Sequence, residues 1–398
     1  MMRGMIRRII VVFALFAPFA AHAAPPPATV VVAFDRDTIR PLIVEGLANK
    51  DSGRAVEAND PVRIASISKL IMALAALRLM DEGKVDLTRD VSDYLGWKLR
   101  SPHYPDAPVT LAHLLSHRAG LSDAAGYSIP LGASLEGKLG DRAVWRETGA
   151  PGDAAFEYAN LGAPIVATVL EAASGERYDR LVERLVFAPL GVKACFNWIG
   201  CDADMQARAV TLYRHTGEIA ADGPDRLPPA CTIPVVAGAA CNLDSYVPGT
   251  NASIFSPQGG VRIGLLDLAK IGQALMLGPD SGVLTPSTLE RFAASAYQGK
   301  TGAKEMFCHY GLGLQVIEIP ESGCQDTLFG DGQTWIGHPG EAYGLMSGLW
   351  FDGAGAQGFV YVLTESPPPA GGEDTGNFTP HEKALMARAR AVLVDGAK

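Results

Sequence analysis

No Cys-Xaa-Xaa-Cys pair occurs anywhere in this chain of 398 residues, and acids outnumber bases, 43 to 34. The first lack removes the usual signature of a zinc or thiol-redox centre. The second removes nucleic-acid binding driven by charge, because a net charge of −9 repels a phosphate backbone. Past the N-terminal leader no stretch approaches the ~20 apolar residues that cross a bilayer, so no stable membrane span is expected. Internal repeats and long low-complexity linkers are missing as well. A metal site would have to rest on His113 and His117, spaced i and i+4, which lack a nearby acid or third ligand of the usual kind. No metal and no other cofactor is called for.

What is present begins with a leader. Arg3, Arg7 and Arg8 precede an apolar run from Ile9 to Ala21, and Ala21-His22-Ala23 offers small residues for cleavage. Residues 1–23 therefore read as a signal peptide cut after Ala23, which predicts a periplasmic or secreted protein; Arg7-Arg8 leaves a twin-arginine route open. Loss of those three arginines takes the net charge from −9 to −12. All six cysteines lie downstream, as Cys195/Cys201, Cys231/Cys241 and Cys308/Cys324. Such close neighbours suggest local disulfides in an oxidising compartment, although spacing alone does not fix their connectivity.

The remaining length of about 375 residues exceeds the usual single core and predicts two lobes. Dense β-branched runs at Thr29–Phe34 and Leu42–Leu47 flank Asp35-Arg-Asp-Thr38, a hairpin. A helix is expected from Ser66 to a cap near Gly83, then others at Thr110–His117, Leu161–Ser174, Tyr178–Phe187 and Leu265–Leu277. Strands follow at Gly311–Ile319, Thr334–Ile336, Ser347–Phe351 and Phe359–Thr364, with a last helix from Pro380 to Val394. Strands at both chain ends around a helical middle predict an α/β fold of the α+β type. Residues 24–90 and 250–398 would form the α/β lobe and 91–249 a mainly helical lobe, with an active site between them.

The chemistry is written in Arg63-Ile-Ala-Ser-Ile-Ser-Lys69. Residues i and i+3 share a helix face, so Lys69 can reach the Ser66 hydroxyl, while the helix N-terminus offers backbone N–H groups to developing negative charge. Ser68 points roughly 100° away around a helix of this pitch. The bland alternative is that Ser66 merely caps the helix. Two further motifs stand downstream: Tyr158-Ala-Asn160 ahead of a helix, and His338-Pro-Gly340, placed to begin a strand.

In these three ordered motifs the chain resembles the serine hydrolase family that contains class C β-lactamases, D-alanyl-D-alanine carboxypeptidases, D-aminopeptidases and related esterases. The likeness extends through Leu114-Leu-Ser-His-Arg-Ala-Gly-Leu121, Pro189-Leu-Gly191, Ser256-Pro-Gln-Gly-Gly260 and Tyr310-Gly-Leu-Gly313. It implies a β-lactamase/penicillin-binding-protein-like fold, with a central antiparallel sheet flanked by helices and an inserted helical lobe. Carried over, Ser66 is the nucleophile, Lys69 its partner and Tyr158 a proton exchanger. A Tyr158 phenolate held down by the Lys69 charge could activate the serine, and the choice of base between the two stays open. Asn160 would hold Lys69 and the substrate, while His338 and Gly340 would line the substrate. The N–H of Glu341 would join that of Ser66 in an oxyanion hole.

A second His-Xaa-Gly, His215-Thr-Gly217, sits between Leu212-Tyr213 and Ile219-Ala-Ala and reads as a hairpin turn, so His338 is preferred. Histidine and proline in place of the Lys-Thr of β-lactamases remove a permanent charge and a hydroxyl, and point away from β-lactam turnover. The implied partner is a small-molecule or peptide substrate, cell-wall fragments included, cleaved as an ester or a D-amino-acid amide. A weak β-lactamase and a penicillin-binding sensor or scaffold that never turns over are the rivals.

Overall fold

A computed structural model describes residues 26–304, 306–320, 322–367 and 378–395. The expected leader, residues 1–23, lies outside them. Thr29–Phe34, whose first four residues are β-branched, is buried at every position and forms an inner strand of a seven-stranded sheet. The strand order is His309–Tyr310, Gln315–Ile317, Trp335–Ala342, Leu345–Asp352, Gly358–Leu363, Thr29–Phe34, Ile39–Glu45, and every pairing is antiparallel. The N-terminal hairpin closes where expected: Asp35 Oδ1 accepts the N–H groups of Asp37 and Thr38 at 2.9 and 2.7 Å.

Helices cover both faces. On one, the helix Pro380–Asp395 sets Leu385, Met386 and Ala389 against Trp350 and Tyr361. On the other lies Ile67–Asp81, buried without a break from Ile67 to Leu77, as only a helix enclosed on all sides can be. Gly83, at φ +70°, closes it by donating to the Met80 carbonyl at 2.9 Å. The helix Gly162–Ser174 packs into the same core. A small sheet of Val62–Arg63, Val261–Ile263 and Ala194–Phe196 flanks the start of the Ile67 helix. The disulfides are Cys195–Cys201, Cys231–Cys241 and Cys308–Cys324.

Three elements differ from the sequence reading. The strand expected over Gly311–Ile319 shortens to Gln315–Ile317, because Gly311-Leu-Gly313 makes a turn against the Ile67 helix; a Cβ on Gly313 would lie 2.8 Å from that of Ala73. The strand expected to stop at Ile336 runs on to Ala342, so His338-Pro-Gly340 lies inside a strand and does not open one. Pro339 is tolerated there because the neighbour Gln315–Ile317 stops pairing at Gly337, leaving Pro339 on a free edge. A helix over Pro286–Gln298 was not expected, although Thr285 as cap and Pro286 in the first turn announce it.

Candidate active site

Ala65 holds a φ of +46°, unusual for a residue with a side chain, and so turns the chain sharply into the Ile67 helix. Ser66 stands at the cap position but makes no side-chain capping bond, which removes the bland reading of this serine. Its Oγ instead accepts from Lys69 Nζ at 3.1 Å. Lys69 is 2% exposed and also donates to Asn160 Oδ1 at 2.8 Å and to the Gln258 carbonyl at 3.2 Å. Burial pulls its amine down to about 7, against an opposing pull from the Asp123 carboxylate. Ser68 is turned away and accepts the Val261 N–H at 3.2 Å.

Asp123, unnoticed in the sequence, organises the second motif. Its Oδ2 accepts from the Asn160 N–H at 2.8 Å and from Asn160 Nδ2 at 2.9 Å, and its Oδ1 from the Leu161 N–H at 3.0 Å. These bonds fix the Asn160 amide with its oxygen toward Lys69. The only sequence signal was a polar residue shortly after the Leu114–Leu121 motif.

Tyr158 is clamped between two rings. Phe307 stacks on it at 4.4 Å and His117 lies at 4.5 Å, with the His117 ring held by Nδ1 accepting the Ala159 N–H at 3.2 Å. The Tyr158 hydroxyl is buried and has no hydrogen-bond partner among the described residues. Burial pushes this phenol well above its ordinary value, the nearby Ser66 hydroxyl pulling the other way. Burial and the Asp123 carboxylate thus both work against a phenolate at Tyr158. The ammonium lies over the face of the ring, 4.6 Å from its centroid, rather than at the oxygen.

The third wall is the free edge of Trp335–Ala342. Ser347 Oγ donates to the Ile64 carbonyl at 3.1 Å and to that of Gly340 at 3.2 Å, stitching this strand to the approach of Ser66. A Cβ on Gly340 would collide with Ser347 Oγ and come within 3.2 Å of the Ser66 nitrogen, so only glycine lets the two backbones meet. Strand N–H groups alternate between the two edges. Pro339, which has none to offer, stands beyond the last pair with Gln315–Ile317, and Glu341 two residues on lines the cleft. Ser66, Tyr158, Asn160, Gln258, Gly340 and Glu341 line one cleft of about 900 Å³.

A sequence model of the Beta-lactamase family matches residues 13–378. The chain belongs to the beta-lactamase family. Its homologues there are serine hydrolases. The D-alanyl-D-alanine-carboxypeptidase/endopeptidase AmpH of Escherichia coli (strain K12) is 33% identical over 137 residues, 33% of this chain and 35% of AmpH. Esterase EstB of Burkholderia gladioli is 32% identical over 169 residues, 38% of this chain and 42% of EstB. The matches thus span under half the length of either relative. Among solved structures, the octameric penicillin-binding protein homologue from Pyrococcus abyssi gives a TM-score of 0.64 at 20% identity, over 93% of this chain and 74% of that one. That likeness is one of fold.

The family's third motif takes an unexpected form here. His338, expected against the substrate, is fully buried behind the cleft wall. Its Nδ1 lies 2.6 Å from the Pro339 carbonyl and its Nε2 3.1 Å from the Tyr310 hydroxyl, so both ring nitrogens are engaged. Since a carbonyl only accepts, Nδ1 carries the proton and Nε2 accepts from Tyr310. Burial and the Lys69 charge pull His338 down to about 3, which keeps it neutral. Buried against Tyr310, with its ring centroid 6.3 Å from that of Tyr158, His338 backs Tyr158 and does not itself line the cleft. His215 sits exposed at the tip of the hairpin between Leu212–Tyr213 and Ile219–Ala221. The cluster Cys308, His309, Cys324 has metal-like proximity, but its two sulfurs are bonded to each other.

Proposed function

We propose that this chain is an exported serine hydrolase that works through an acyl-enzyme on Ser66, with esters or D-amino-acid-containing peptides and amides as substrates. The observation that carries the reading is a buried amine, Lys69, in contact with the Ser66 hydroxyl and pulled down to about 7. A neutral amine at that position takes the serine proton as Oγ attacks the substrate carbonyl. The N–H groups of Ser66 and Glu341 receive the oxyanion, each such donor being worth about 3 kcal/mol. Tyr158, kept as a neutral phenol, donates a proton to the leaving group, and Asn160 holds Lys69 in line. Water then releases the acyl group by the reverse relay. The cleft is assigned to the junction of an α/β lobe, 24–90 and 250–398, with a mainly helical lobe, 91–249. Export is supported by the leader and by three disulfides.

β-Lactam turnover fits less well, since the third motif offers no cation: His338 is neutral and buried beside Tyr158 and Tyr310. A panel of short acyl esters, D-alanyl peptides and nitrocefin separates the readings. Turnover of esters or D-alanyl peptides is expected. Turnover of nitrocefin alone would make the protein a β-lactamase, and stable labelling without turnover would make it a sensor.

A further inference from the structure

Arg63 lines the cleft three residues before Ser66, and the acyl-transfer chemistry does not use it. Its strand pairs it in register with Arg262, so two guanidiniums share one buried carboxylate, Asp222. The sharing is unequal. Arg262 Nη2 lies 2.7 Å from Asp222 Oδ1, which also accepts from Trp198 Nε1 at 2.8 Å. Arg63 Nε stands 3.9 Å from Oδ2, beyond hydrogen-bond range, and neither atom has a hydrogen-bond partner among the described residues. Arg262 is committed further, to Asn197 Oδ1 at 3.2 Å and the Gly260 carbonyl at 2.7 Å. Arg63 keeps one bond, from Nη1 to the Gly259 carbonyl at 2.7 Å.

The surplus positive charge of this cluster therefore falls on Arg63, whose side chain is 12% exposed. Burial and the Arg262 charge pull it down to about 10, which leaves it cationic at neutral pH. The Tyr343 ring lies 4.9 Å from the guanidinium carbon, and Tyr127 also stands within range of its charge. Both phenols line the same cleft and are partly exposed, 44% and 36%.

We propose that Arg63, flanked by Tyr127 and Tyr343, determines specificity by binding a carboxylate on the substrate that Ser66 attacks. The inference rests on the acyl-enzyme reading above. A half-paired guanidinium gains most from the planar, two-oxygen partner that a carboxylate offers, and the two phenols add donors beside it. Because Glu341 lines the same cleft, a cationic substrate is the rival.

Three acyl esters of one leaving group and one chain length, ending in carboxylate, carboxamide or ammonium, decide the matter. The wild-type protein should prefer the carboxylate ester in kcat/KM by roughly 10- to 100-fold, as expected for a hydrogen bond between charged partners. Arg63→Gln should erase that preference, chiefly through KM, with the carboxamide ester little changed, and Arg63→Lys should keep part of it. An equal loss on all three esters would make Arg63 only a support for Gly259 and overturn the inference. So would a wild-type protein without preference, or one that prefers the ammonium ester, and neither result depends on a variant folding. If none of the three is hydrolysed and Ser66 takes up no acyl group, the acyl-enzyme reading itself fails and this inference with it. Acylation of Ser66 without charge preference overturns the inference alone.

Discussion

Lys69 and Tyr158 face each other across Ser66 with opposite pKa shifts, one down to about 7 and one well up, both from burial. If Lys69 is the base, kcat/KM should fall as pH drops through about 7, because protonation removes the acceptor, and should hold up through the ordinary phenol range. A profile rising only near pH ~10, the free phenol value, would transfer the base role to Tyr158. Tyr158→Phe and Lys69→Ala should each cost at least ~100-fold in kcat, and the double variant little more, as groups in one relay do. Ser68→Ala should leave turnover intact but lower stability by about 1–3 kcal/mol, since the buried Val261 N–H loses its acceptor. At this scale helix periodicity alone separated Ser66 from Ser68. It could not supply the Asp123 carboxylate, which is distant in sequence from everything it organises, nor the direction of the Tyr158 shift, which depends on burial.

Among elements, the strand Trp335–Ala342 decides most. Within it His338 is fully buried and takes the Tyr310 hydroxyl on Nε2, so it supports Tyr310 and the back of the site. His338→Lys should therefore lower the melting temperature, at a cost of about 3 kcal/mol or more for an unpaired buried charge, without raising acylation by penicillins. His215→Ala, at an exposed hairpin tip, should match the wild type in both. Gly340→Ala should force the strand off the Ser66 backbone, and calorimetry beside single-turnover acylation would show whether the rate falls further than stability does. The motif was readable from residue order, but its strand phase was not. The side that His338 takes goes with its contact to Tyr310, between segments far apart in sequence.

On the scale of the whole molecule, the sheet closed by both chain ends and the central helix were legible from apolar runs and caps. The helix Pro286–Gln298 is faint in the sequence because only Thr288, Phe292 and Ala296 are buried, too thin a stripe to stand out beside the inner helices. The near-neighbour cysteine pairs appear as expected, and Cys308–Cys324 secures the loop whose Phe307 stacks on Tyr158. Reducing the protein should lower its stability, a loop of this length being worth about 3 kcal/mol, and should slow turnover before global unfolding. All of these expectations hang on one covalent event. Intact-mass and peptide analysis after a fluorophosphonate or ester substrate should find one adduct per chain, on Ser66, with Ser66→Ala unlabelled and Ser68→Ala labelled as the wild type. Labelling of folded Ser66→Ala at the wild-type rate, or an adduct mapped to any other residue, would contradict the assignment of the nucleophile and everything built on it.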